Sequence, residues 1–193
     1  MGRPREFDDT EAVRAAMETF WTRGYEATST AELCASTGLG RGSLYNAFGG
    51  KHQLYLTSLR KYSEIGFGGQ LATLRQPKPA RQRLRELMLW VIDTDLDDPT
   101  RRGCMAINAA IDAAGRDEAV ARAAKRQFDK LEGALREVIE EGQRDGEFRT
   151  DRDALRLART VQSAYYGLRV LTRVSTDRTA LLDIVEGTLA GLE

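Results

Sequence analysis

The sequence predicts an all-α protein: an N-terminal three-helix head with a helix-turn-helix and a C-terminal helical body, about nine helices in total. Apolar residues recur at spacings of three and four along most of the chain, and no segment shows the alternation of a strand. Two short helical segments joined by a glycine turn lie near the N-terminus. A chain of 193 residues fits one core plus a smaller domain. We therefore place the head at residues 1–62 and the body at residues 63–193.

The first predicted helix begins after Asp8, which with Glu11 has the spacing of a capping box. Apolar residues from Val13 to Trp21 form a single stripe along it. Gly24 follows, and glycine commonly supplies the left-handed residue that ends a helix. One face of this helix is expected to pack on the core of the head.

The next two helices are short and form the predicted helix-turn-helix. Ser29 and Glu32 make a second capping-box pattern, so a helix is expected to begin there and to end near Gly38. After the glycine turn, Leu44 and Phe48 are four residues apart and define the buried side of the second helix. The other residues of this helix are expected to lie on its exposed side.

All remaining segments are predicted to be helical. A fourth helix starts near His52, and the glycines at positions 66, 68 and 69 are expected to interrupt it at a domain boundary. An acidic run, Asp93 to Asp98, is interpreted as the turn that ends the next helix. The later helices are expected from Cys104 to Ala114, from about Val120 to a break between Gly142 and Gly146, and over about Asp153–Val174 and Arg178–Leu192.

Composition excludes several classes of protein. The N-terminus is charged, and no stretch approaches the roughly 18 apolar residues of a membrane span, so we expect a cytoplasmic protein without a membrane partner. Two cysteines and the single histidine, His52, are too few for a closed metal site or a catalytic triad. We expect no metal, no cofactor and no enzyme activity, and a helical enzyme is the weaker alternative.

Charge distribution points to nucleic acid although the net charge is zero. No acidic residue occurs from Leu33 through Ser63. A local positive field is sufficient to meet phosphates, whereas the plainer interpretation is a chance gap on a solvated face. The basic residues within this acid-free window are Arg41, Lys51, Arg60 and Lys61.

The string GLGRGSLYNAFGGKHQLY resembles the recognition segment of the TetR family of bacterial transcriptional regulators, including its AcrR-like members. The resemblance covers about residues 8–62 closely and extends over the rest only in helix number and length. Two positions depart from the family pattern, because Gly40 stands where serine is frequent and Ala47 where an aromatic residue or histidine is frequent. The matching residues are Gly38, Arg41, Gly42, Ser43, Leu44, Tyr45, Phe48 and Lys51, preceded by Gly24-Tyr25 and Thr28-Ser29-Thr30.

The resemblance implies a DNA-binding regulator, by the habit of the family a repressor, that is released from a palindromic operator by a small molecule. A recognition helix in the major groove presents its N-terminal and outward side chains to base edges. The alternative is a helical protein-interaction module without sequence-specific DNA binding. An N-terminal arm, Gly2–Arg5, is either a minor-groove contact or a disordered tail. The predicted DNA-binding residues are Thr28, Ser29, Arg41, Gly42, Ser43, Tyr45, Asn46 and Lys51.

The body is expected to bind an effector and to form a homodimer. Cys104 follows Arg101 and Arg102 near a helix start, the setting of a thiol reactive towards electrophiles or oxidants, although most free cysteines are small buried hydrophobes. The predicted effector-pocket residues are Met88, Trp90, Cys104, Asn108, Phe128 and Tyr165, with ordinary core packing as the alternative. The predicted dimer contacts are Leu155, Val161, Ala164, Leu168, Leu181, Val185 and Leu189.

Overall fold

The computed structural model describes residues 9–113 and 115–193, which form nine helices and no strand. The predicted all-α class is confirmed. None of the helices in these two ranges is both long and apolar enough to span a bilayer. The helices are α1 (Asp9–Arg23), α2 (Thr30–Thr37), α3 (Arg41–Phe48), α4 (Lys51–Leu74), α5 (Ala80–Asp97), α6 (Met105–Ala113), α7 (Glu118–Arg144), α8 (Ala154–Leu171) and α9 (Arg178–Ala190).

The described residues divide into two compact units. The first contains the chain up to Ile65 together with Met105–Ala124, so α6 and the start of α7 join the N-terminal helices. Its core is built on the stripe of α1, where Phe20 packs edge-on against Tyr55 with ring centroids 5.0 Å apart. The other core residues of this unit include Val13, Ala16, Met17, Leu33, Leu39, Leu44, Leu54 and Leu59.

The second unit contains Gly66–Cys104 and Lys125–Glu193. Its helices α5, α8 and α9 pack on one another around one apolar core, to which α7 and the end of α4 also contribute. A buried ion pair crosses this core: Nη1 of Arg169 donates to Oδ1 of Asp95 over 2.8 Å, and the Thr172 hydroxyl donates to Oδ2 over 3.0 Å. Asp95 is therefore not part of a solvated acidic turn, as its sequence neighbours suggested, but a paired core residue.

Helix α4 corrects one prediction, since it runs unbroken from Lys51 to Leu74 through all three glycines. An interior glycine costs a helix only about 1 kcal/mol relative to alanine. The turn beyond the glycines is anchored, because Leu74 is buried and Nε2 of Gln70 donates to the Tyr165 hydroxyl over 2.8 Å. Burial of the last turns outweighs the weak local signal.

Helix α7 continues two residues beyond Gly142, where the sequence placed the beginning of a break. A Cβ at position 142 would lie 2.3 Å from Cδ2 of Phe148 and 2.9 Å from Cβ of Ala80. Gly142 is therefore a close-packing residue inside the helix. The chain turns only afterwards, at Gly146, whose φ of +79° is left-handed.

Most of the residues predicted to form a dimer contact lie instead in the core of the chain itself. Leu155 and Ala164 are half-buried and the other five are buried. The prediction was wrong for those five because the apolar stripes of α8 and α9 are used to pack on α5 and on each other. The exposed apolar side chains at the end of this region are Val170, Leu171 and Val174.

Candidate nucleic-acid interface

The first helix of the helix-turn-helix begins with a complete capping box, as predicted. The Glu32 amide donates to Oγ of Ser29 over 3.2 Å, and the Ser29 amide donates to Oε2 of Glu32 over 2.7 Å. Glu32 also pairs with Arg23 at the end of α1. These hydrogen bonds, led by the one from the Ser29 amide, hold the pKa of Glu32 below its usual range. The start of α2 is thus tied to α1 by its capping residue.

The turn between the helices depends on glycine. Gly38 ends α2 with a left-handed φ of +70°, and Gly40 then takes the N-cap position of α3 in an extended conformation. No side chain caps α3, since glycine stands there, but glycine is itself a tolerated N-cap. Leu39 in the turn and Leu44 on α3 are both buried, which fixes the second helix against the core of the head.

The opposite face of α3 is polar and exposed. Tyr45 is 45% exposed, and the side chains of Arg41 and Asn46 make no hydrogen bond or ion pair within residues 9–113 and 115–193. These side chains are available to an external partner on a helix that carries no acidic residue. The exposed residues of α3 are Arg41, Gly42, Ser43, Tyr45 and Asn46, all of which were predicted as DNA contacts.

Lys51 stands in the first turn of α4, beyond the end of α3. Its Nζ lies 4.3 Å from the centre of the Tyr25 ring, a cation–π contact that holds the ammonium group beside the helix-turn-helix. The Tyr25 ring also meets His52 edge-on, with centroids 6.3 Å apart. Lys51 is half-buried, and within residues 9–113 and 115–193 its ammonium group contacts an aromatic ring and no carboxylate.

Thr28 corrects one predicted DNA contact. Its side chain is fully buried, and its hydroxyl donates to the carbonyl oxygen of Gly24 over 2.7 Å. Thr28 therefore stabilises the turn between α1 and α2 and does not present its hydroxyl to a phosphate. Ser29 next to it is exposed. The arm Gly2–Arg5 and the capping residue Asp8 lie outside the described residues.

Gly50 is a residue of this surface that the sequence did not single out. Its φ is +119°, and a Cβ there would lie 3.1 Å from Cε1 of Tyr45. The glycine allows the Tyr45 ring to lie across the turn between α3 and α4. The paired glycines at 49 and 50 were a visible signal of a turn, but only the structure shows which one is in contact with Tyr45.

The residues predicted to form the effector pocket do not all lie together in the structure. Met88 and Tyr165 are fully buried in the core of the second unit, and Cys104 is 5% exposed. Phe128 contacts this group through Tyr166, with ring centroids 4.8 Å apart. Trp90 departs from the prediction, because it is 40% exposed and lies away from the buried stripe of α5. Asn108 belongs to α6 in the first unit.

The arginines that precede Cys104 do not act as the sequence suggested. Nε of Arg102 donates to Oδ2 of Asp98 over 3.1 Å, and Nη1 of Arg101 donates to the carbonyl oxygen of Thr172 over 3.2 Å. Both guanidinium groups are engaged in holding the turn before α6. The thiol of Cys104 is buried beyond that turn.

A cleft of about 640 Å³ lies in the second unit between the α4–α5 loop and the last turns of α7. Its wall contains the ion pair of Arg83 with Glu141 and the carboxylate of Glu147, which caps α5 by accepting the amides of Ala80 and Arg81. None of the predicted effector residues lines this cleft. The Glu147 carboxylate in the wall of the cleft therefore serves to cap the start of α5.

Two family models match the chain. The model described as "Bacterial regulatory proteins, tetR family" matches residues 12–57, which include the whole helix-turn-helix. The model described as "Tetracyclin repressor-like, C-terminal domain" matches residues 80–187. The first match lies in the first compact unit, and the second contains residues of both units.

Individual proteins are similar over the full length. The uncharacterized HTH-type transcriptional regulator YezE of Bacillus subtilis is 30% identical over 100% of both chains. The HTH-type transcriptional repressor ComR of Escherichia coli is 28% identical over 97% of this chain and 90% of its own. Among solved structures, a cysteine-substituted form of the TetR-family regulator CifR, in complex with 26-base-pair operator DNA, is 31% identical with a TM-score of 0.87 and covers 100% of both chains.

Proposed function

This chain belongs to the TetR family of transcriptional regulators, and we propose that it is a cytoplasmic repressor that binds a palindromic operator as a homodimer and is released by a small-molecule effector. The observation that carries the proposal is the exposed polar face of α3, whose Arg41 and Asn46 have no partner within the described residues. The similar regulator CifR has been solved with operator DNA, which supports the same partner here.

The chemistry of α3 suits a major groove. Arginine makes a bidentate contact to a guanine edge and asparagine to an adenine edge, so Arg41 and Asn46 are the proposed base-reading residues. Gly42 adds no side chain on this face and allows close approach of the helix to the bases. Ser29, Ser43 and Tyr45 are proposed to bind phosphates, which set the register of the protein without reading sequence.

Lys51 adds the positive charge that the groove requires. It lies in the first turn of α4, where the helix dipole also favours an anion. The segment from Leu33 to Ser63 that carries it contains no acidic residue, and the carboxylate of Asp117, which lies close by, is bound to His52. The neutral net charge of the chain is thus compatible with a strong local attraction for the DNA backbone.

A homodimer matches the two-fold symmetry of the proposed palindromic operator. Two recognition helices related by a dyad reach successive major grooves when they are about 34–36 Å apart. We propose that the exposed apolar residues Val170, Leu171 and Val174 contribute to the dimer contact. The five buried residues of α8 and α9 that were expected at the dimer contact pack instead in the core of the chain itself.

Release of DNA by an effector requires that the effector bind one conformation of the protein more tightly than the other. A ligand with equal affinity for both conformations does not shift the equilibrium between them. We place the effector in the body, near the aromatic cluster of Phe128, Tyr165 and Tyr166. The burial of Cys104 favours non-covalent binding over reaction at the thiol.

The test is retention of DNA fragments from beside the gene of this protein, with excess competitor, followed by footprinting. We expect a protected site with dyad symmetry, lost from the variants Arg41→Ala and Asn46→Ala and kept by Lys125→Ala, which removes an exposed charge from α7. Failure of the unmodified protein to retain any genomic fragment would contradict the proposal and favour a protein-interaction module.

A further inference from the structure

We infer that Gln70 and Tyr166 form the polar end of the effector site, and that the effector is an uncharged molecule carrying a hydrogen-bond donor and an acceptor on an apolar, preferably aromatic, body. The inference rests on the proposed function, since it names the ligand class of the regulator. It is drawn from two of the three buried side-chain polar atoms in the second unit for which the described part of the chain provides no hydrogen-bond partner. The third, Nε of Arg83, belongs to a guanidinium that already donates to the Leu74 carbonyl oxygen and to Glu141.

The first of these atoms is Oε1 of Gln70. The residue is 7% exposed on α4, and its Nε2 donates to the Tyr165 hydroxyl over 2.8 Å. Oε1 has no partner among residues 9–113 and 115–193. If the amide is turned over, so that Oε1 accepts from Tyr165, the NH₂ group becomes the unpaired end. Either orientation leaves one hydrogen-bonding end of Gln70 open.

The second atom is the hydroxyl oxygen of Tyr166. The neighbouring Gln162 is close enough to act on the pKa of this hydroxyl, but its amide nitrogen donates to the carbonyl oxygen of Phe128 over 2.6 Å. No contact to the Tyr166 hydroxyl in the described ranges meets hydrogen-bond geometry. Tyr165 joins the two atoms into one cluster, because it bonds Gln70 and its ring lies 5.6 Å from the ring of Tyr166.

Two unpaired polar atoms in one buried cluster require an explanation. Native proteins pair nearly all buried polar groups, and the exceptions are met by ordered water or by a ligand. The cluster is polar at Gln70 and Tyr166 and aromatic elsewhere, with Phe128 and Tyr166 packed at 4.8 Å. A few convergent polar groups on an aromatic wall are the usual make-up of a small-molecule site.

The charges around the cluster exclude an ionic effector. Arg169 is bound to Asp95 over 2.8 Å, so the buried charges compensate each other. Burial raises the pKa of Tyr165 and of Tyr166, which keeps both hydroxyls neutral and able to donate. A charged ligand would therefore lose its hydration without gaining a counter-ion.

A ligand can reach the cluster from the side of its half-buried residues. Gln70 and Tyr165 are buried, whereas Phe128 and Tyr166 are half-buried. An aromatic ligand body is expected to stack on the two half-buried rings while its polar substituents reach the open end of Gln70 and the Tyr166 hydroxyl. Recognition of the substituents supplies specificity, and the rings supply most of the contact area.

The first measurement is thermal unfolding without ligand. Tyr166→Phe removes a hydroxyl that has no protein partner and is expected to leave the melting temperature unchanged or to raise it. The control Tyr165→Phe removes a hydroxyl that is bound to Gln70 and is expected to lower it. Equal losses for the two variants would overturn the inference, because they would show that the Tyr166 hydroxyl is already satisfied.

The second measurement is calorimetric titration at pH 6.5 with three matched probes: 4-hydroxyacetophenone, 4-hydroxybenzoate and 4-ethyltoluene. Only the first is both uncharged and polar, and it is expected to bind more tightly than the other two. Tyr166→Phe and Gln70→Leu are each expected to weaken its binding about tenfold, the effect of one lost hydrogen bond, with binding of 4-ethyltoluene unchanged. Preference for 4-hydroxybenzoate, no binding of 4-hydroxyacetophenone, or equal binding by all variants would overturn the inference.

These titrations use the full chain without DNA, so they are separate from the test of the proposed function. A protein that retains no genomic DNA but shows the expected probe selectivity would contradict the repressor proposal and leave the ligand site standing. A protein that binds its operator but does not show the expected probe selectivity would support the repressor proposal and contradict the ligand site.

Discussion

Nε2 of His52 lies 2.6 Å from Oδ2 of Asp117, a contact that joins the first turn of α4 to the start of α7 across 65 residues of sequence. The other oxygen of the same carboxylate accepts the amides of Ala119 and Val120 at 2.9 and 3.1 Å. The hydrogen bond from the Val120 amide, with a smaller contribution from His52, holds the pKa of Asp117 below its ordinary value, although burial acts in the opposite direction. One side chain therefore both caps α7 and anchors the helix that carries Lys51.

Asp117 caps α7 in addition to contacting His52, whereas His52 adds only a wide edge-on contact with the Tyr25 ring, so their removal is expected to have unequal effects. His52→Ala removes a partly exposed contact and is expected to lower the free energy of unfolding by up to about 1 kcal/mol. Asp117→Ala also removes a helix cap, which costs about 1 kcal/mol more. Urea denaturation measures both, with Asp129→Ala, at an exposed pair on α7, as the control. Equal effects of the two main variants would contradict the division of roles.

The sequence predicted the local features of the head correctly because they depend on neighbours. The Ser29–Glu32 capping box and the helix end near Gly38 involve residues at most a few positions apart, and both are observed. The contact of His52 with Asp117 has no such signal, since neither residue is unusual in its own segment. Thr28 was misassigned for a related reason: a threonine beside a helix cap looks accessible in sequence, and only the packed turn shows that it is buried.

The body was harder to predict because an apolar stripe does not identify what it packs against. Val161 and Leu168 have the spacing expected of either a core face or a dimer face, and the contacts of α8 with α5 decide for the core. Asp95 looked like part of an acidic turn because its partner Arg169 is 74 residues away. The unpaired amide end of Gln70 is equally invisible, since it depends on α4 continuing through its glycines.

Lys51 is expected to contribute non-specific affinity for DNA. Lys51→Ala should weaken binding to operator and to competitor DNA by similar factors and reduce the slope of log affinity against log salt by about 1. Tyr25→Phe retains the ring over which the ammonium group lies at 4.3 Å and should leave binding nearly unchanged, whereas Tyr25→Leu removes it. A loss confined to operator DNA would instead place Lys51 among the base-reading residues.

Gly50 is expected to tolerate no side chain. Gly50→Ala places a Cβ 3.1 Å from the Tyr45 ring at a φ of +119°, so we expect a loss of about 1–3 kcal/mol in unfolding free energy and weaker DNA binding through a displaced Tyr45. Gly49→Asn is the matched control, because its φ of +76° lies in the left-handed region that asparagine accepts. If both variants bind operator like the unmodified protein, the position of Tyr45 is irrelevant to the interface.

Asp98 is expected to make the second unit sensitive to acid. Burial disfavours its charged form, but hydrogen bonds from the Thr100 hydroxyl and amide and from Arg102 prevail and lower the pKa of Asp98 from 3.8 to about 2. A carboxyl with a lowered folded-state pKa stabilises the fold above its unfolded pKa, and this contribution is lost as the pH falls from about 4 through about 2.

Asp98→Asn should therefore reduce the free energy of unfolding at neutral pH by about 1 kcal/mol, after allowance for solvent screening. The difference from the unmodified protein should shrink as the pH falls below about 4 and disappear below about 2, as followed by urea denaturation across a pH series. Asp97→Asn removes an exposed neighbouring charge and serves as the control. A constant difference at every pH would show that the loss comes from packing rather than from ionisation.

The two glycines of α7 are expected to respond to alanine with opposite signs. At Gly142 a Cβ would lie 2.3 Å from Phe148 and 2.9 Å from Ala80, so Gly142→Ala must displace an aromatic ring from the core, at a cost of about 1–3 kcal/mol. At Gly133, apart from its two chain neighbours and the nearby backbone of its own helix, no heavy atom of the described residues lies within 4 Å of the added carbon. Gly133→Ala should therefore gain about 0.5–1 kcal/mol from the higher helix propensity of alanine. Both variants receive the same propensity gain, so the difference between their melting temperatures isolates the packing of Phe148, and a stabilising Gly142→Ala would mean that this ring moves without cost.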